Sequence, residues 1–247
     1  MPRALPGRDG RPVQEVDVGG VRHLAMFGYL RGRHVAPGEP MEPLFHRLGG
    51  VTARLHAHAR GWARPAWFAR RPWDEAALLG PGAVWGDWRD APGVTAPLRP
   101  VLERAEAAAR ARLAGHGRGA DRYGLIHADL RLANLLVDGD RLHVIDFDDC
   151  GSGWFGYDFA AAVSFMEDDP AIPALRAAWL AGYLEAGSPA HVDPAMLDTF
   201  VMVRRLALLA WIGSHRDSTE PQALAPHFAD GTARLAARYL DGEGAGA

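Results

Sequence analysis

Apolar residues fall first into short alternating runs near the start of the chain, then into longer stretches at helical spacing. Residues 12–18 (PVQEVDV) and 21–30 (VRHLAMFGYL) flank Gly19-Gly20, which predicts a hairpin whose second strand is the more apolar. Residues 30–40 carry Gly, Pro and charge without a period and read as loop. Leu44, Phe45, Leu48, Val51 and Leu55 recur at helical spacing and predict an amphipathic helix over 41–60, with Gly49 and Gly50 a weak point in its middle. Residues 62–94 are irregular and rich in Trp, Pro and Arg, with a short helix near 74–80. The tryptophans of this segment are expected to anchor it by burial. Thr95 reads as the N-cap of a helix ending at Gly115. Further helices are expected at about 157–167, 172–186, 194–213 and 220–240.

Composition narrows the class without naming a function. The 247 residues are 48% hydrophobic and 23% charged, ordinary for a soluble globular chain, and suffice for one large domain or two small ones. A net charge of −3 gives no general pull toward nucleic acid or an anionic membrane. The greasiest stretch, residues 200–213, is interrupted by Arg204 and Arg205 and is too short to cross a bilayer, so it reads as a buried helix. The single cysteine, Cys150, excludes an internal disulfide and fits a reducing cytoplasm. All 27 basic residues are arginine; there is no lysine.

The chemistry is concentrated in residues 124–149, GLIHADLRLANLLVDGDRLHVIDFDD. Apolar Leu125 and Ile126 lead into a loop bearing His127 and Asp129, and Asn134 stands just before a short apolar strand. The DGD at 138–140 predicts a tight turn, and RLHVIDF returns as the partner strand. Such a hairpin brings Asn134 and Asp146 side by side, with Asp129 upstream on the same rim. An amide oxygen and a carboxylate suit Mg²⁺, a hard cation that takes few protein ligands and completes its shell with phosphate and water. A separate carboxylate can then orient a hydroxyl and accept its proton, the division of labour that phosphoryl transfer needs.

HADLRLAN resembles the H-x-D-x-x-x-x-N catalytic loop of the protein-kinase-like superfamily, and VIDFDD resembles its metal-binding Asp-Phe segment. Asp-Phe-Asp in place of Asp-Phe-Gly, followed by GSGWFGYDFA, is similar to the aminoglycoside phosphotransferase and small-molecule kinase branch. The resemblance implies Asp129 as catalytic base, Asn134 and Asp146 as Mg²⁺ ligands, His127 as a brace of the loop, and Asp158 as the buried acceptor of loop backbone N–H groups. It implies backbone contacts to ATP from Phe27, Gly28, Tyr29 and Leu30. RLGGVTARLHAHA resembles the first helix of the large lobe.

The implied fold is α+β and mostly α, a protein-kinase-like fold with a complete helical C-lobe and an incomplete β N-lobe. Residues 1–30 would be a remnant of the N-lobe sheet and hinge, and 31–247 the C-lobe with its catalytic hairpin at 125–149. Only residues 1–20 precede the hinge strand, and the lysine that grips nucleotide phosphates in this superfamily is missing. Two readings follow: a reading frame that begins too late, or a non-catalytic binding module. The expected partner is a small hydroxyl-bearing molecule, cationic if the acidic residues Asp148, Asp149, Glu167, Asp168 and Asp169 face it together with Trp154 and Phe155. Asp148, Asp149 and Trp154 are candidate contacts for substrate or a second metal. His56 and His58 do not share a helix face, so no zinc pair is expected.

Overall fold

In the computed structural model, which describes residues 2–36 and 38–244, the N-terminal alternation forms an antiparallel sheet. Its strands are β1 (Ala4–Leu5), β2 (Val13–Asp17) and β3 (Val21–Phe27), in the order β1-β3-β2. Asp17 Oδ1 accepts the N–H groups of Gly19 (3.2 Å) and Gly20 (2.9 Å), which closes the turn where the glycines were expected to break the strands. The second strand stops at Phe27 rather than residue 30, and β1 pairs with its end through Ala4↔Phe27 and Leu5↔Met26. Every residue of β3 is exposed, Met26 at 69% and Phe27 at 55% among them.

This sheet forms one unit, Met1–Glu39 together with Leu132–Asp146; the second unit is Pro40–Arg131 with Phe147–Ala247. The grouping departs from the expected division at residue 30. The hairpin of residues 132–146 joins the N-terminal segment, and Arg33 and Val137 exchange backbone hydrogen bonds of 3.0 and 2.8 Å.

The second unit is built on helices. Strand β4 is Pro72–Trp73 and β5 is Tyr123–Ile126. The first unit's hairpin supplies β6 (Leu135–Asp138) and β7 (Arg141–Val144), and β8 is Gly151–Trp154. The helices are α1 (Met41–Gly61), α2 (Glu75–Leu79), α3 (Arg99–His116), α4 (Tyr157–Ala162), α5 (Ile172–Glu185), α6 (Leu197–Ser214) and α7 (Thr219–Gly244).

The glycines expected to weaken α1 instead decide its packing. A Cβ at Gly49 would lie 2.0 Å from the Trp179 carbonyl oxygen, and one at Gly182 1.9 Å from that of His46. Backbone therefore meets backbone where α1 crosses α5, and only glycine permits it. Helix α6 is buried along nearly its whole length, Asp198 excepted up to Ala210, as an all-round apolar helix must be.

Three expectations shift. Helix α3 begins at Arg99 rather than just after Thr95; the Thr95 carbonyl closes the preceding turn with the N–H groups of Leu98 and Arg99, and Pro100 sits in the first helical turn, where its missing N–H is not needed. Helix α4 ends at Ala162 rather than near 167; the chain turns out of it, and Phe165 takes a φ of 70°. Residues 151–154, GSGW, form an unexpected strand between β5 (antiparallel) and β4 (parallel). Gly151 is required there, since a Cβ would strike the Arg71 carbonyl at 2.3 Å, and a Cβ at Gly153 would press on the end of the Ile126 side chain at 2.4 Å.

Candidate active site

The loop after β5 is held from below by one carboxylate. Asp158, fully buried on α4, accepts the N–H groups of His127 (3.2 Å) and Ala128 (2.7 Å) and faces His56 Nε2 at 2.9 Å. His56 Nδ1 lies 2.9 Å from the Tyr183 hydroxyl, so the network joins α1, α4, α5 and the loop. Burial alone would push the Asp158 carboxyl up. The hydrogen bond and charge of His56, the charge of His127 and the Ala128 N–H outweigh it and hold the group below the usual carboxylate value. Burial raises the Tyr183 hydroxyl. Ala128 adopts a φ of 68°, a left-handed conformation that costs a non-glycine residue about 1 kcal/mol or more unless its surroundings fix it.

His127 is buried beneath the loop. Its Nδ1 accepts the Asp129 N–H at 3.3 Å, and its ring lies 4.5 Å from that of Phe147. Asp129 Oδ1 accepts from the Arg204 guanidinium at 2.8 Å, and Oδ2 lies 3.4 Å from Arg131 Nε. Arg204 is buried. Burial would lower its pKa, but Tyr157 and Asp129 more than compensate and raise it.

The stretch after Asp146 is clamped by the Trp-rich segment. Arg70 donates to the carbonyls of Phe147 (2.7 Å), Asp148 (2.8 Å) and Cys150 (2.9 Å), and Trp73 Nε1 donates to the Asp149 carbonyl at 2.6 Å. Trp73 and Trp88 are buried as anchors, whereas Trp67 is 79% exposed.

In the other unit, Leu135↔Val144 is the first pair of the β6–β7 ladder, and Ile145 N–H donates to the Asn134 carbonyl at 3.1 Å. Gly139 closes the turn with a φ of 56°. The register thus returns Asp146 to the end of the hairpin that Asn134 opens. Asp146 is exposed with a φ of 64°, and Asn134 is buried. Their oxygens are the hard donors that Mg²⁺ prefers. At the expected hinge, Gly28 N–H donates to the Arg3 carbonyl at 2.8 Å, while Tyr29 is 90% exposed.

Several expected substrate contacts are committed elsewhere. Trp154 is buried, donates to the Gly117 carbonyl at 2.7 Å and packs on Tyr123 and Phe200; it is a core residue, as is Phe155. Glu167 pairs with Arg205, Asp168 with Arg238, and Asp169 caps Ala171 N–H. Glu167 and Asp168 thus have arginine partners, and Asp169 a backbone one, within the helical unit. Asp148 is exposed and Asp149 half-buried.

Sequence reasoning gave His56, Arg70 and Arg204 no part in the site. Only Arg204 carried a signal: a charge inside an apolar helix needs a buried partner.

A β-rich unit and a helical unit joined through an H-x-D-x-x-x-x-N segment make this a protein-kinase-like fold of the small-molecule kinase type. The chain belongs to the phosphotransferase enzyme family, whose profile matches residues 1–196. It is similar to the solved structure of the microcompartment-associated aminopropanol kinase, at 45% identity and a TM-score of 0.85 over 99% of this chain and 77% of that one. The amicoumacin kinase hAmiN, solved with AMP-PNP, Ca²⁺ and Ami, shares the fold at 20% identity and a TM-score of 0.70, over 95% of this chain and 72% of that one. Amicoumacin kinase of Bacillus subtilis (strain 168) is 28% identical over 175 residues, 69% of this chain; the match spans about half (49%) of that protein's length. Among the described residues, no helix is long and apolar enough to cross a membrane.

Proposed function

We propose that the protein transfers the γ-phosphoryl group of ATP to a hydroxyl of a small amino alcohol. The observation that carries this reading is the hairpin register, which brings an amide and a carboxylate to one strand end in the segment that also bears Asp129. Asp129 orients the acceptor hydroxyl and takes its proton as the oxygen bonds to phosphorus and the bond to the ADP oxygen breaks. Asn134 and Asp146 would hold Mg²⁺. Bound there, the ion would neutralise charge on the phosphates. Asp158 and His56 keep the loop fixed, which matters because positioning supplies most of the rate in this chemistry. Backbone at Tyr29 and Leu30 would meet the adenine, the Gly28 N–H being engaged by Arg3.

The 45% identity to a protein named for aminopropanol supports an amino alcohol as acceptor. Protein, ATP, Mg²⁺ and a panel of amino alcohols headed by aminopropanol, with ADP release followed against time, test the reading. Acceptor-dependent release supports it; none with any acceptor refutes it.

A further inference from the structure

Helix α6 carries two adjacent arginines where nearly every neighbour along it is buried. A guanidinium is tolerated in such a place only when its charge and its N–H groups are met. Arg205 is met by a structural set: Glu167, the Thr232 hydroxyl at 2.9 Å, the Phe228 carbonyl at 3.3 Å and the face of the Phe228 ring. Arg204 points elsewhere. Its Nε donates to the Ser164 hydroxyl (3.1 Å), and its two terminal nitrogens to the Ala128 carbonyl (3.2 Å) and Asp129 Oδ1 (2.8 Å). The Trp85 and Tyr157 rings flank it at 5.3 and 5.8 Å.

Ala128 is thereby tied at both ends. Asp158 takes its N–H and Arg204 its carbonyl, and between them its φ is held at 68°. Releasing the carbonyl frees Ala128 to relax toward the right-handed or extended region, which would swing the next residue, Asp129.

We propose that Arg204 is a positioning residue for the catalytic base: it locks the Ala128–Asp129 peptide and Asp129 Oδ1, and so fixes the orientation in which the carboxylate meets the acceptor hydroxyl. The inference rests on the reading of Asp129 as that base. The planar fork is the reason for arginine, since it spreads its donors over three nitrogens, one for each acceptor, where an ammonium has a single nitrogen. Trp85 explains part of the Trp-rich segment, because it covers the guanidinium on one face.

Steady-state kinetics with ATP and aminopropanol on Arg204→Gln, Arg204→Lys and Ser164→Ala test this, with melting curves to count folded protein. In Arg204→Gln, kcat per folded molecule falls about 100-fold while both KM values change less than about threefold, the pattern of lost transition-state alignment. Arg204→Lys, which keeps the charge, recovers part of that loss, and Ser164→Ala loses about threefold to tenfold with an unchanged melting point. Arg204 variants that melt early but keep wild-type kcat per folded molecule overturn the proposal. If they do not fold, Ser164→Ala decides: undiminished kcat overturns it. A wild type without turnover on any acceptor removes the kinase reading itself, and the proposal with it. Normal wild-type turnover with an indifferent Arg204 removes the proposal alone.

Discussion

His56 Nε2 lies 2.9 Å from Asp158 Oδ2 in the core, with both side chains fully buried, and the two residues are 102 positions apart in the chain. That contact ties α1 to the base of the Asp129 loop. Asp158→Ala removes the acceptor of two backbone N–H groups and the partner of His56 at once. The expected cost is about 3–5 kcal/mol, the range for breaking a buried charged pair. His56→Ala keeps the backbone donors but strips the buried Asp158 carboxylate and the Tyr183 hydroxyl of their partner, so it too should cost about 3–5 kcal/mol. Urea denaturation of the three proteins checks both values.

The same carboxylate sets an acid limit. The pKa of Asp158 is lowered from 3.8 in the folded state, so the unfolded chain protonates it first as pH falls. Its contribution is full above the unfolded value and is lost as pH drops through the folded one. Urea midpoints should therefore decline below about pH 4 in the wild type. In Asp158→Asn they should decline less steeply, from a lower starting stability. Equal slopes would remove Asp158 as a source of acid lability.

Glycine at the α1–α5 crossing should reverse the usual rule that alanine stabilises a helix. Gly49→Ala and Gly182→Ala each drive a methyl group into a carbonyl and should cost about 1–3 kcal/mol or more by overpacking. Gly115→Ala in α3, where a Cβ meets nothing within 4 Å, should instead stabilise by up to about 1 kcal/mol. Melting temperatures of the three variants settle the sign at each position.

Arg70 offers a test of the clamp after Asp146. Arg70→Ala frees three carbonyls in a surface setting, so folding stability should change by less than about 1 kcal/mol. Turnover should nevertheless fall about tenfold, equivalent to about 1.4 kcal/mol in the barrier. Thermal melts beside initial rates separate the two effects.

How much of this the chain discloses depends on the distance over which each feature acts. The β2–β3 and β6–β7 hairpins and helices α1 and α5 are written in local period and turn residues, and all four were legible. Strand β8 was not, because Gly151 and Gly153 carry no apolar signal; their value lies in what approaches them. The spacing from His127 to Asp146 marked a candidate site by resemblance, but His56 and Arg204 reach that loop from distant helices, and no local pattern links them to it. Trp154 misled for a related reason. An aromatic residue near a motif looks available until packing against Phe200 and the Gly117 carbonyl is seen.

Asn134→Ala and Asp146→Asn should each lower turnover by about 100-fold or more, as loss of a group stabilising transition-state charge does. Each should also shift activity to higher Mg²⁺ concentration while leaving circular dichroism unchanged. Activity with an unaltered Mg²⁺ dependence would detach these residues from metal binding.

Phosphorus NMR of ATP, Mg²⁺ and aminopropanol incubated with wild-type protein and with Asp129→Asn tests the central claim most directly. Asparagine keeps an oxygen for Arg204 but cannot take a proton. The wild type should build a phosphomonoester resonance in step with ADP, and the variant should do so about 10²–10⁴ times more slowly at an unchanged melting point. An ester formed at comparable rates by both proteins, or by neither, would contradict the account.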